Sequence, residues 1–424
     1  MSSSEHTGIV VHPVEIDAPL LNPHKGWVYI DHAIPDEIDA GNSVSKVTDG
    51  TAYQWYAGVA VLSTWGLVEA EEDRYDWSLV DKSINYWAAQ GKEIHLRFST
   101  EQFGRYPGCP DWLYQKGVPR HKGGEGGYFP DYTHPLYLEH LRHFLMVFAD
   151  RFCNDQRVET IDLRAYGSWG EWHSGAPYNT LEERLQALHG LIDAWRAANK
   201  ERKFLNLSVS WEWQTHDNTG FPVLPPGYSH NELYAPTYAD YRHGSAFDYA
   251  LPFPDISIRR DGVAGCIMQK YDGRLIANFF AQYRKPIFTE YFGGPDFHVA
   301  SIPADQRTSH NMRPWLDNAL DDILNQHPNF SSPHGWGSFG GATEYYNDHP
   351  DLVLKGHKLM GYRFVLVTAE YPKVAAPGTT LEIHHTWQNR ALGRCYRRYP
   401  LAIYLMQGEQ VIWQEIDASF DQTN

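Results

Sequence analysis

Cysteine is scarce in this chain: there are 4, at Cys109, Cys153, Cys266 and Cys395. No two are spaced as a CxxC zinc or redox motif, so no disulfide framework or zinc knuckle is expected, and the four read as plain buried thiols. No run of about 20 apolar residues is present, which excludes a membrane-spanning helix. Positive charge is also short, with Lys+Arg 36 against Asp+Glu 52 and a net charge of −16. A surface of that sign repels phosphate backbones and argues against nucleic acid as a partner. The N-terminus, Met1-Ser2-Ser3-Ser4-Glu5-His6, has no basic stretch followed by an apolar core. It is read as lacking a signal peptide, which fits a cytoplasmic protein or a secreted one whose leader was removed.

Several catalytic signatures are missing too. There are 22 His but no HExxH spacing. His384 and His385 are adjacent on a predicted strand, so they point to opposite faces and cannot chelate together. No G-x-S-x-G elbow occurs, which weakens esterase chemistry. The run Gly123-Gly124-Glu125-Gly126-Gly127 is not followed directly by a helix, so it is no phosphate cradle. No catalytic metal and no cofactor are expected.

Aromatic rings are plentiful at 14%, with Trp 15 and Tyr 27. Many sit beside Gly, Glu and His in loop-like segments, where the apolar faces of sugars can stack. At 424 residues the chain suits a barrel with a smaller partner. Strand and helix patterns alternate from about 20 to 360. Strands are predicted at 59–64, 93–98, 158–166, 203–210, 265–269 and around Ile287, with a last barrel strand near 335–337. Helices are predicted at 77–90, 135–152, 180–199 and 306–326; Gly91 stops the first. The proline-punctuated segment 99–135 reads as an active-site loop, and 214–260 as irregular and aromatic. The fold class that follows is α/β, a (β/α)8 TIM barrel over 1–362. Strands at 363–368, 380–387 and 400–405 have no helices between them. They predict a small C-terminal β-sandwich over 363–424, thin enough to be incomplete or to pack tightly on the barrel, in a supporting role.

Two predicted strands end in a glutamate set among rings. One is Ile161-Asp162-Leu163-Arg164-Ala165-Tyr166-Gly167-Ser168-Trp169-Gly170-Glu171-Trp172-His173. The other is Ile287-Phe288-Thr289-Glu290-Tyr291-Phe292-Gly293-Gly294. Cleaving a glycosidic bond needs a proton for the leaving oxygen and a nucleophile or activated water, and two carboxylates supply both. Flanking by Trp169 and Trp172 is expected to desolvate Glu171 and favour its protonated form. The bland alternatives are a surface-loop Glu171 and a Glu290 in a structural ion pair with Arg97 or Arg284. Arg97, Glu101, Trp169, Trp172, His173, Trp211, Glu212, Tyr234, Tyr291 and Trp336 are the candidate substrate-binding residues. Among them Glu212, flanked by Trp211 and Trp213, is the main rival for a catalytic role.

Short motifs carry a resemblance. Trp65-Gly66-Leu67-Val68-Glu69, then Tyr75-Asp76-Trp77-Ser78 and Asp81, resemble a stretch after an early strand in retaining β-glycosidases of clan A, a (β/α)8 superfamily. Asn22-Pro23-His24-Lys25-Gly26-Trp27, Gly170-Glu171-Trp172-His173, Gly361-Tyr362-Arg363-Phe364-Val365-Leu366 and Trp387-Gln388-Asn389-Arg390 are similar to DUF4832-type proteins. The resemblance implies an acid/base on strand 4 and a nucleophile on strand 7, which by position are Glu171 and Glu290. It implies a carbohydrate substrate and a retaining glycoside hydrolase. One departure stands out: the superfamily carries Asn directly before the acid/base, where it contacts the sugar 2-hydroxyl, and this chain has Gly170. That departure favours the alternative, a non-catalytic carbohydrate-binding protein on a degenerate barrel.

Overall fold

The computed structural model describes residues 8–35, 52–101, 107–122, 127–172, 181–208, 249–263, 280–291, 303, 306, 311, 313–333 and 348–423. Eight parallel strands close a barrel: β1 Gly26–His32, β2 Tyr56–Thr64, β3 Glu93–Ser99, β4 Val158–Arg164, β5 Phe204–Ser208, β6 Ile256–Val263, β7 Ile287–Tyr291 and β8 Phe330–Ser332. Ring order follows chain order, and β8 pairs back onto β1. The expected (β/α)8 architecture is therefore present. Helices α1 Ser78–Ala89, α2 Pro135–Phe152, α3 Leu181–Asn199, α4 Arg313–Leu324 and α5 Pro350–Leu359 surround it. Helix α1 buries Val80, Ile84 and Trp87, the stripe its spacing predicted. No described helix is long and apolar enough to cross a membrane.

Two strands fall elsewhere than expected. The sixth is Ile256–Val263, inside the stretch read as irregular, and the eighth is Phe330–Ser332, a few residues early. The sixth escaped notice because Ser257, Arg259 and Asp261 interrupt its apolar residues, leaving no continuous hydrophobic run. The segments first expected to form these strands, 265–269 and 335–337, lie outside the described residues.

Each strand has two faces, as its period of 2 requires. Ile94, Leu96 and Phe98 of β3 and Ile161 and Leu163 of β4 pack in the outer core with the helices. The opposite faces fill the barrel, and they change character from floor to rim. At the floor Val28, Ile30, Ala60, Phe288 and Phe330 form a small apolar cluster. Above it lies a neutral polar layer. His95 Nδ1 is 2.9 Å from Thr160 Oγ1, Asn206 Nδ2 donates to Thr160 Oγ1 at 2.9 Å, and Ser257 Oγ donates to Asn206 Oδ1 at 2.6 Å. Burial pulls His95 down to about 3, so the imidazole is uncharged there. Gly58 on β2 makes room for it: a Cβ would stand 2.8 Å from His95 Nε2. The rim layer is ionic, as described below.

Beyond α5 the strands are antiparallel, as expected, but they form separate sheets. Phe364–Pro372 pairs with His384–Asn389 on one side and with the N-terminal strand Gly8–Val11 on the other. Leu401–Gln407 and Gln410–Asp417 form a hairpin. The chain between these sheets runs under the barrel floor. Tyr396 packs against the apolar floor cluster, and its hydroxyl donates to Glu159 Oε1 at 2.8 Å. Arg397 Nη2 pairs with Glu159 Oε2 at 2.8 Å. His24 Nδ1 lies 3.2 Å from both Glu93 and Glu159. Desolvation would lower the His24 pKa, but hydrogen bonds to Glu159 and Glu93 outweigh it and raise it to about 9. Cys109, Cys153 and Cys395 are free and buried, as the spacing implied; Cys266 lies outside the described residues.

Candidate active site

At the C-terminal rim, inward positions of four strands carry charge. Arg97 lies near the end of β3, Asp162 and Arg164 in the last pleat of β4, Arg259 and Asp261 on β6, and Glu290 on β7. All six are nearly inaccessible to solvent. Parallel pairing sets Arg97 beside Asp162 and Ser99 beside Arg164, so neighbouring strands bring opposite charges together. Arg97 Nε is 3.1 Å from Asp162 Oδ2, and Arg97 Nη1 is 2.9 Å from Glu290 Oε2. Arg259 reaches three carboxylates: Asp162 through Nη1 at 2.9 Å, Asp261 through Nε at 2.6 Å, and Glu290 Oε2 through Nη2. The Arg259 guanidinium also lies 4.4 Å from the centre of the Phe288 ring, which seats it on the apolar layer. Burial pushes the Asp162 carboxyl up, against the pull of Arg259 and Arg97.

Glu171 arrives differently. Strand β4 stops at Arg164, and the chain folds back over it. Gly167, Trp169, Gly170 and Trp172 all take positive φ, at 76°, 56°, 69° and 64°. Gly170 N–H donates to Gly167 O at 2.9 Å and Trp172 N–H to Tyr166 O at 2.8 Å, closing the turn. Trp172 Nε1 donates to Leu163 O at 2.5 Å, and Arg164 Nη1 donates to Trp169 O. The Trp172 indole on one side of Glu171 and the Trp169 carbonyl on the other thus tie the turn to the end of β4. Its carboxylate meets Arg164 Nη2 at 3.1 Å with the side chain 17% exposed, so it is no solvated surface glutamate. Gly170 lies so close to the strand that a Cβ would stand 2.7 Å from Arg164 Cβ and 2.8 Å from its carbonyl carbon. The asparagine of the resembling superfamily has no room here.

One oxygen each of Glu171, Asp261 and Glu290 lies within 4.8 Å of the other two. That triangle has the size of a cation site. Arg164 and Arg259 already supply its positive charge from contact distance, and a dication would have to displace or face them. The donor set therefore does not fit a metal. Among these described residues, Asp162, Asp261 and Glu290 match Arg97, Arg164 and Arg259 in number, and Glu171 is the fourth acid.

The expected site residues divide into three groups. Arg97, Glu171 and Glu290 meet at the rim, with the half-buried Trp169 on the same turn. Three others are placed in the core, which corrects the expectation that they meet substrate. Trp172 is fully buried, because its indole N–H is taken by Leu163 O. Tyr291 alternates away from inward Glu290 and packs 6.1 Å from the Trp315 ring of α4. Glu101 is 1% exposed. Burial holds the Glu101 carboxyl well above its usual range, against the opposing pull of the Gly167 backbone N–H. His173, Trp211, Glu212, Tyr234 and Trp336 lie outside the described residues. Sequence reasoning missed Asp162, Arg164, Arg259 and Asp261. Their signal was alternation: Thr160, Asp162, Arg164 on β4 and Ser257, Arg259, Asp261 on β6 are polar at every second position.

No protein-family model matches the chain, including any for the DUF4832-type resemblance, and no curated protein matches it. Solved structures do. The β-amylase catalytic domain of Paenibacillus polymyxa aligns with a TM-score of 0.49 at 11% identity, over 78% of this chain and 98% of that one. Endo-glycoceramidase II from Rhodococcus sp. aligns with a TM-score of 0.44 at 13% identity, over 73% and 72%. Aspergillus fumigatus Ega3, solved with galactosamine, aligns with a TM-score of 0.37 at 10% identity, over 73% and 90%. These neighbours are glycoside hydrolases on barrels.

Proposed function

We propose that the chain is a glycoside hydrolase of the clan A type, related to DUF4832-type proteins, acting on an oligo- or polysaccharide. Glu171 is the acid/base and Glu290 the nucleophile. The observation that carries this reading is the approach of their carboxylate oxygens to within 4.8 Å at the strand-end rim. Such an approach lets both groups act on one glycosidic bond and is compatible with retaining enzymes, whose carboxyl groups lie about 5–5.5 Å apart. Both guanidiniums that meet Glu290 do so at Oε2. They fix the carboxylate and leave Oε1 for attack on the anomeric carbon. As the Glu290–carbon bond forms, the bond to the leaving oxygen breaks and Glu171 gives that oxygen its proton. Glu171 then takes a proton from water, whose oxygen displaces Glu290.

A panel of nitrophenyl glycosides and polysaccharides, with binding measured in parallel, tests this. Glu290→Gln is expected to abolish turnover yet fold, because the amide oxygen still accepts from the arginines. Glu171→Gln is expected to spare substrates with good leaving groups and lose the others. Equal loss on both removes Glu171 as the acid. Binding without turnover across the panel would support the second reading, a carbohydrate-binding protein, which the ion pairing of both glutamates also accommodates.

A further inference from the structure

An acid catalyst needs its proton, and Glu171 sits 3.1 Å from a guanidinium that favours losing it. The expected remedy, burial between two tryptophans, is not what the fold provides, since Trp172 turns into the core. Asp261 provides another. Its Oδ2 lies 3.4 Å from Arg164 Nη2, the same nitrogen that meets Glu171. Its Oδ1 lies 2.6 Å from Arg259 Nε, the guanidinium whose other arm meets Glu290. Asp261 thus joins the arginine of the acid to the arginine of the nucleophile, and its carboxylate faces both catalytic oxygens. Asp162 also touches these arginines, but it lies lower in the barrel and outside that triangle.

We infer that Asp261 is a positioning residue for this pair: it shares Arg164 with Glu171 so that the acid keeps its proton, and it braces Arg259 on Glu290 so that the nucleophile keeps its charge. The inference rests on the roles proposed above for the two glutamates. The described charged groups around Glu171 are Arg164 and Asp162 from β4, Arg97 from β3, Arg259 and Asp261 from β6, and Glu290 from β7. Removing the Asp261 charge leaves Arg164 Nη2 to Glu171 alone and takes away a like charge. Both changes favour the carboxylate, so the proton is lost at lower pH.

The test needs no substrate. The full-length protein is labelled with glutamate carrying 13C at the side-chain carboxyl, and the Glu171 resonance is assigned by its loss in Glu171→Gln. Its titration midpoint is then compared between wild type and Asp261→Asn. The midpoint is expected to fall by about one pH unit in the variant. A midpoint that stays or rises overturns the inference. Asp261→Ser repeats the measurement should Asp261→Asn fold poorly; failure of both to fold also overturns it, by making Asp261 a brace of the barrel alone. The glycosidase reading fails on other evidence, namely absence of turnover on the glycoside panel, so the two are told apart.

Discussion

Gly170→Ala adds one methyl group directly before Glu171. The residue sits at φ 69°, where an L side chain costs roughly 1–2 kcal/mol. The new Cβ would meet Arg164 at 2.7 Å, 2.8 Å and 2.9 Å, through Cβ, the carbonyl carbon and Cα. Carbon atoms rest about 3.5–4.0 Å apart, so something retreats by about 1 Å. It is not the strand, because Arg164 is paired to Ser99 in the barrel ladder and its carbonyl accepts from Thr100 N–H at 3.2 Å. The turn moves instead, and the hydrogen bond from Trp172 Nε1 to Leu163 O is stretched or lost, at about 1–3 kcal/mol. The two costs together come to about 2–5 kcal/mol. A 1 Å displacement of Glu171 is expected to lower kcat/KM about 100-fold. The loss should concentrate on substrates with poor leaving groups. Gly170→Asn, which restores the residue of the resembling superfamily, should fare no better. Thermal melting and kinetics on an activated and an unactivated glycoside check this. A Gly170→Ala protein with wild-type melting and wild-type kinetics would refute the reasoning.

Two further expectations concern the barrel floor. The raised His24 pKa, about 9 folded against 6.5, means its contribution is complete below pH 6.5 and lost as pH rises through 9. Melting of wild type and His24→Gln across that range should show a wild-type advantage that is largest at the acid end and fades towards the alkaline end. Lys25, which burial pulls down to about 7, acts in the opposite direction but is common to both chains and cancels. The floor also depends on the segment carrying Tyr396 and Arg397. A chain ending at Tyr362 is expected to precipitate, because it uncovers Val28, Phe288 and Phe330, whereas one ending after Pro400 keeps that cover and should melt cooperatively. Equal solubility and activity of the shorter chain would show that the floor closes without it.

The barrel was legible because most of its strands carry continuous apolar runs and its longer helices a clear stripe. Val59-Ala60-Val61-Leu62 fills both faces of β2, and Val80, Ile84 and Trp87 share one face of α1. The sixth strand was not legible, because charged residues sit on it consecutively and break its apolar outer face. Ile256–Val263 reads I-S-I-R-R-D-G-V, which resembles an exposed strand or a loop until a barrel gives its second face an interior. The glutamates at the rim were legible from residue type and strand end, yet their partners were not, because pairing across strands depends on register. The tryptophans beside Glu171 misled for a related reason: four positive-φ residues between Gly167 and Trp172 reverse the chain there, and sequence spacing alone does not show which ring turns inward.

The ionic rim also bears on whether this barrel does chemistry. Barrel interiors filled for stability alone are dominated by branched apolar side chains in layers. Here the apolar filling ends at a five-residue floor cluster, and the rim layer holds Arg97, Asp162, Arg164, Arg259, Asp261 and Glu290. Burying an ion pair is at best near neutral for stability, and replacing one with apolar residues of similar volume is often stabilising. Stability therefore does not account for a rim built this way. The departures from a stability-optimised interior gather where three carboxylates converge and one of them, Glu171, still meets solvent. Local rules are broken in this way at functional sites. Replacing Asp162, Arg259 and Asp261 together with apolar residues should therefore leave a folded barrel but end the turnover proposed above, and a variant that kept turnover would assign the rim to stability alone.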